Sequence, residues 1–379
     1  MRNRKWQQRI TLFLGIFLSF GMVIGLVTPL LLNQQSIAQP QTRPTNTPRP
    51  TQPVPPDTAN INFDTTYLHP SGLFTASIPT NYELTNEFNS TGEAQVTMED
   101  RDALSVLEIR VIRPTDTVAL DTPQSLGAQF TTEWLRSSWS RYSTWEEDAR
   151  RVDDDRLVMD FNLTRNGQNY VARQVAFTDG TWIYTLRVVS PSNATEVMQY
   201  VLENQVASFE PIERYVGERL EWNGYFDDST NHLVRFPSEW MLVDGSEGRP
   251  ASIAGNDTQL RVETTDATID SEASASEFVS GLRSNIDVLS VEAVDQYGDS
   301  GFRVAYTQST LDGATQSGVV LLVNGTNTTH VLNLLLENVA DTDLNAVDVT
   351  AEDTDLAIVE ALNVLDTFSI LPDLEVTRR

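Results

Sequence analysis

The chain has 379 residues, 40% hydrophobic and 21% charged, enough apolar material for the cores of two ordinary domains. The formal net charge is −27, but no acidic residue precedes Asp57 while six of the 26 basic ones do, so the remainder stands at −33, a surface that repels phosphate backbones and excludes nucleic acid as a partner. There is no cysteine, and Lys5 is the only lysine, which excludes disulfides, thiolate chemistry and lysine-dependent chemistry from the folded part.

Residues 1–9 form a basic leader. Ile10–Leu32 then runs without a charge. As a helix these 23 residues span about 34 Å, enough for a hydrocarbon core of roughly 30 Å. Fifteen are Leu, Ile, Phe or Val, and the basic residues lie on the N-terminal side only. This predicts a single-pass signal-anchor with a cytoplasmic N-terminus and everything later outside the membrane. The competing reading is a signal peptide cleaved after Ala38, where Ser36-Ile37-Ala38 has the small-x-small form; that would make the remainder secreted. Residues 33–61 carry seven prolines between Pro40 and Pro56 and read as a stiff stalk.

From Tyr67 the chain repeats itself. "YLHPSGLFTASIPTNYEL" and "YFDDSTNHLVRFPSEWML" align at an offset of 158: Tyr67 with Tyr225, Ile78 with Phe236, Pro79 with Pro237, Tyr82 with Trp240, Leu84 with Leu242. "FTASI" and "HLVRF" read as strands ended by a proline, which cannot donate to a ladder. In the first half, strands "AQVTME" and "SVLEIRVI" precede a helix capped at Thr122; three strands follow, "RLVMDFNLT", "QNYVARQVAFT" and "TWIYTLRVVS". In the second half, "ASIAG" and "TQLRVETT" precede a helix capped at Ser274, followed by "VLSVEAVDQ", "GFRVAYTQS", "SGVVLLVN" and "THVLNLLL". Turns "RNGQ" and "LDGA" mark hairpins. Each half closes with a helix and a phenylalanine, Phe209 and Phe368, at an offset of 159.

The fold class expected is therefore α+β: two tandem domains after an N-terminal transmembrane helix, each a mostly antiparallel sheet packed with helices. The first spans 62–212 and the second 222–373, with a connector at 213–221 and a tail at 374–379. The Tyr67–Leu84 stretch and its echo, the central helix and the terminal helix ending at Phe209 or Phe368 resemble the PsbP-like fold, named for an extrinsic subunit of photosystem II. The resemblance implies a protein that binds partners or assists assembly, and it supplies no catalytic motif to carry over. Tandem duplication behind an anchor departs from the single-domain photosynthetic form.

Residues for chemistry are sparse. The three histidines, His69, His232 and His330, have no metal-ligand spacing, and neither a G-x-S-x-G elbow nor a G-x-G-x-x-G loop occurs. The acidic run "DTDLNAVDVTAEDTD" offers Asp341, Asp343, Asp348, Asp353 and Asp355 as oxygen ligands for Ca2+, without the order of an EF-hand; a solvated loop leading into the last helix explains it as well. If the helix from Thr122 continues through "TEWLRSSWSRYSTW", Leu126, Phe130 and Trp134 fall on one face and Leu135, Trp139 and Tyr142 on the other. The second face is a candidate surface for an extracytoplasmic protein partner or for the other domain. No cofactor and no catalytic residue is expected. The function read from the sequence is non-catalytic binding or assembly. Its alternatives are a small-ligand or Ca2+-binding module and a hydrolase using carboxylates in an interdomain cleft.

Overall fold

The computed structural model describes residues 52–246, 249–311 and 313–377; the apolar segment 10–32 and residues 33–51 of the proline-rich stretch lie outside them. Among the described residues no helix is long and apolar enough to cross a membrane.

The first repeat runs β1 (Thr65–Leu68), β2 (Phe74–Ile78), β3 (Glu83–Asn89), β4 (Glu93–Asp100), β5 (Ser105–Ile112), α1 (Thr132–Ser138), β6 (Thr144–Asp153), β7 (Arg156–Arg165), β8 (Gln168–Thr178), β9 (Ile183–Pro191), α2 (Thr195–Ser208) and β10 (Glu210–Pro211). The second runs β11 (Asn223–Asp227), β12 (His232–Phe236), β13 (Met241–Asp244), β14 (Ala251–Gly255), β15 (Thr258–Thr265), α3 (Glu272–Leu282), β16 (Ile286–Gln296), β17 (Asp299–Ser309), β18 (Thr315–Asn324), β19 (Thr329–Leu336), α4 (Leu356–Asp366) and β20 (Ser369–Ile370).

Strand order duplicates without exception. A three-stranded sheet β1-β2-β10 and a seven-stranded sheet β3-β4-β5-β9-β8-β7-β6 reappear as β11-β12-β20 and β13-β14-β15-β19-β18-β17-β16. All pairings are antiparallel. Two antiparallel-sheet domains with few helices are thus the architecture. At the β7–β8 turn Asn166 and Gly167 take φ of 54° and 77°, the left-handed pair that a tight hairpin needs.

Each large sheet carries an apolar layer on both faces. On one face of the first sheet Val96, Leu107, Ile109 and Leu186 meet Val197, Val201 and Leu202 of α2. On the other, Met159, Phe161 and Ala172 meet Leu126, Phe130, Leu135 and Trp139. The second sheet packs Leu260, Leu321 and Leu332 on α4, and Val304, Tyr306 and Val320 on Ala275 and Val279 of α3.

Two helix starts differ from expectation. Thr122 accepts a bond from the Ser125 amide, but only a 3-10 turn, Ser125–Ala128, follows. The chain is extended at Thr131 (φ −66°, ψ 161°), whose side chain caps α1 by accepting from the Trp134 amide. In the second repeat Ser271 is the cap, and Ser274 completes a capping box with it. The β5–β6 connection, Arg113–Ser143, is eleven residues longer than its counterpart Asp266–Asn285.

The repeats are not separately closed. Leu233 of β12 lies fully buried within the first repeat's apolar cluster, and the connector residues Tyr215 and Leu220 are buried there too. The Gly224 amide donates to Pro70 O at 2.6 Å, and Arg235 Nε donates to Ser71 O at 2.7 Å. The backbones approach so closely here that a Cβ on Gly224 would stand 3.1 Å from the Gly72 nitrogen. The end of the stretch read as stalk and the tail are docked as well. Ile61, at the end of the stretch read as stalk, is buried in the first core. In the tail, the Thr377 amide donates to Thr66 O, and its hydroxyl accepts from the Thr66 amide.

Candidate functional site

The predicted partner face is interior. Leu135 and Trp139 are 2% and 1% exposed and pack on the first repeat's own sheet, while Tyr142 is half-buried against Trp139 and Tyr170. The break before Thr131 is the reason. It turns the chain between the 3-10 segment and α1, so the two faces of a continuous helix become one apolar layer over β7, β8 and β9.

Three of the five aspartates offered as Ca2+ ligands bond to nearby backbone. Asp343 and Asp355 accept from the Asn345 and Ala357 amides as caps, and Asp348 accepts from the Thr350 amide and hydroxyl. Asp341 occupies a left-handed turn at φ 49°. Asp353 lies in the stretch leading to α4. Among the described residues no group of three or more His, Asp or Glu side chains converges as a metal cage.

What the structure does assemble is a charged ladder under α1. On the face of β5 opposite Leu107 and Ile109 stand Glu108 and Arg110. Register places Thr97, Glu108, Arg187 and Gln174 side by side across β4, β5, β9 and β8, with Gln95, Arg110 and Thr185 in the next row. Arg187 Nη2 donates to Glu108 Oε1 at 2.6 Å, and Arg110 Nε donates to the same oxygen at 2.7 Å. Arg110 Nη1 also reaches Glu93 Oε2 at 3.3 Å, and Gln95 Nε2 reaches Glu108 Oε2 at 3.4 Å. Each guanidinium lies over an indole: Arg187 over Trp139 at 4.1 Å, Arg110 over Trp134 at 5.5 Å.

Glu108 is 5% exposed. Burial opposes its charge, but Arg187 and Arg110 outweigh that and hold the carboxyl below the usual carboxylate range. Arg110 is raised for the converse reason: burial works against it, and Glu108 and Glu93 prevail. Behind this pair lies an excess of donors. Arg187 Nη1, Gln174 Nε2 and Trp139 Nε1 are buried without an acceptor.

In front of the ladder a cleft of about 560 Å³ opens to solvent. Glu108, Arg110 and Gln95 form its floor; Trp134 and Ser137 of α1, with Arg141 of the turn after it, form one wall, and the exposed Arg113 lines the cleft too. Arg141 Nη1 lies 3.5 Å from Glu99, and Arg113 has no ion pair among the described residues.

The second repeat lacks this arrangement. At the corresponding register Arg261 pairs with Ser252 and Asn333, so Arg261 and Glu263 stand where Glu108 and Arg110 do. They form an ion pair at 2.8 Å with Arg261 mostly exposed. Sequence reasoning missed the ladder: in "SVLEIRVI" the charges alternate with apolar residues as on a solvent-facing strand. The remaining signal was Arg187 alone within "YTLRVV".

No family model matches the chain, and no curated protein matches it. Among solved structures it is similar to cyanobacterial PsbP (CyanoP) from Synechocystis sp. PCC 6803, at 15% identity over 40% of this chain and 92% of that one, with a TM-score of 0.30. A Bacteroides thetaiotaomicron protein matches at 8% identity over 40% of this chain and 49% of that one, with a TM-score of 0.28. The immunity protein TplEi of the T6SS of Pseudomonas aeruginosa, complexed with a peptide, matches at 11% identity over 83% of this chain and all of that one, with a TM-score of 0.22. Scores this low carry no argument; the two-domain architecture rests on strand order and register.

Proposed function

We propose that this chain is a non-catalytic binding protein, anchored by Ile10–Leu32, that presents two PsbP-like domains outside the membrane. The first repeat receives the partner in the cleft beneath α1, and the second serves as its scaffold. One observation carries the reading: a buried arginine–glutamate–tryptophan ladder lies under an open cleft in one repeat and is missing from the same sheet position of the other. Buried charges cost stability unless paired, so a ladder of this kind on one copy alone points to use rather than to folding.

The test is a photo-crosslinking amino acid placed at Ser137, on the cleft wall, or at Glu277, on α3, in the full chain in its membrane. An impermeant protease in the same preparation reports which side the domains occupy. A partner adduct at Ser137 and none at Glu277, with domains digested from outside, supports the reading. Equal adducts, no adduct at Ser137, or domains protected from the protease overturns it.

A further inference from the structure

We propose that the cleft of the first repeat binds a small oxyanion, a carboxylate or phosphoryl group, gripped by Arg110, Arg113 and Arg141. This rests on the reading of the cleft as the partner site and names the chemistry it selects.

Charge comes first. The chain from Asp57 onward is 33 charges negative, yet three arginines line this one cleft against two carboxylates, Glu93 and Glu108. Counting Arg187 behind the floor and Glu99 beside Arg141, the balance stays positive by one. In a molecule whose field repels anions, a locally cationic concavity is where an anion is admitted.

Donor geometry comes second. Arg110 uses Nε on Glu108 and one N–H on Glu93, leaving three of its five N–H groups for the cleft. The stacked Trp134 holds its plane, which suits the planar two-point contact a guanidinium makes with carboxylate or phosphate. The exposed Arg113 stands free, and the Ser137 and Ser140 hydroxyls on the α1 side add neutral donors. The three orphaned donors of Arg187, Gln174 and Trp139, each on a residue at most 4% exposed, extend the donor excess into the wall behind.

The size of the cleft sets the limit. About 560 Å³ falls within the usual range for small-ligand sites, so a di- or tricarboxylate or an inorganic phosphate fits.

The experiment is calorimetric titration of the full chain, held in discs of neutral phosphatidylcholine, with citrate, succinate and inorganic phosphate in turn. Quenching of Trp134 is the second readout. Saturable binding of the carboxylates alone identifies a carboxylate site, and of phosphate alone a phosphoryl site; either supports the proposal, with a dissociation constant that weakens as salt rises. Arg113→Ser/Arg141→Ser, at two solvent-facing positions, is expected to weaken binding at least tenfold. Ser137→Glu, which adds a like charge on the same wall, is expected to do the same. No saturable binding of any of the three anions, or unchanged affinity in both variants, overturns the proposal. A Ser137 crosslink to a macromolecule would survive that outcome, so the two readings fail separately.

Discussion

Glu108 holds two guanidiniums at the buried floor of the cleft. Arg187 and Arg110 both donate to its Oε1, and Arg187 has no other carboxylate. Removing the acid therefore strands buried positive charge. Glu108→Ala should cost about 3–5 kcal/mol in urea unfolding, against less than 1 kcal/mol for the exposed Glu83→Ala. Equal small losses would show that the ladder is solvated. Arg187→Met is the gentler change, since the neighbouring Arg110 still satisfies Glu108.

The histidines make a second prediction at this scale. Burial lowers His69, His232 and His330 each to about 4, and His232 is lowered further by His330, whose ring lies 5.2 Å away. In the unfolded chain they titrate near 6.5. Between those values the unfolded state holds more protons, so stability is fully present above about 6.5 and falls as pH drops toward 4. Each histidine contributes up to about 1.4 kcal/mol per pH unit in that window. Urea midpoints measured from pH 7 to pH 4.5 should decline, and His232→Phe should flatten the slope by one proton. A level wild-type profile would contradict it.

At the scale of elements, α1 is short, and its start matters because it forms the cleft wall. Thr131→Ala removes the hydroxyl that accepts from the Trp134 amide, at a cost of about 1 kcal/mol. Trp134 emission should shift to the red while far-ultraviolet dichroism stays unchanged; an unmoved spectrum would mean packing alone seats the helix. Legibility also divides by element. The inner strands β8 and β19 coincide with the segments "QNYVARQVAFT" and "THVLNLLL" read as strands, because burial makes such a strand dense in apolar residues. The edge strands β3, β6 and β13 went unread. β3 and β6 are polar or charged, as edges facing water should be, and β13 carries exposed Met241, Leu242 and Val243 without a partner strand on its outer side. The site escaped for a related reason. Nothing within "SVLEIRVI" tells that a layer some 25 residues later will cover its charged face.

At the scale of the molecule, the doublet was legible from offsets of 158 and 159, while its closure was not. Leu233 belongs by sequence to the second repeat and by packing to the first. Full burial of such a side chain is worth roughly 1.5–3 kcal/mol, and Leu233→Ala should cost 2–5 kcal/mol with the cavity included. The folded body is expected to melt as one calorimetric transition in the full chain, with both repeats losing structure together. Two resolved transitions would show that the contact is too weak to couple them.

The return of Thr377 to Thr66 bears on whether the halves can be parted. With Leu233 filling the first core and Thr377 closing the flank of β1, the first repeat is incomplete without the chain that follows it. Cutting the chain at the seam should therefore yield two sticky fragments rather than two working modules, and an alteration in one half will be felt in the other.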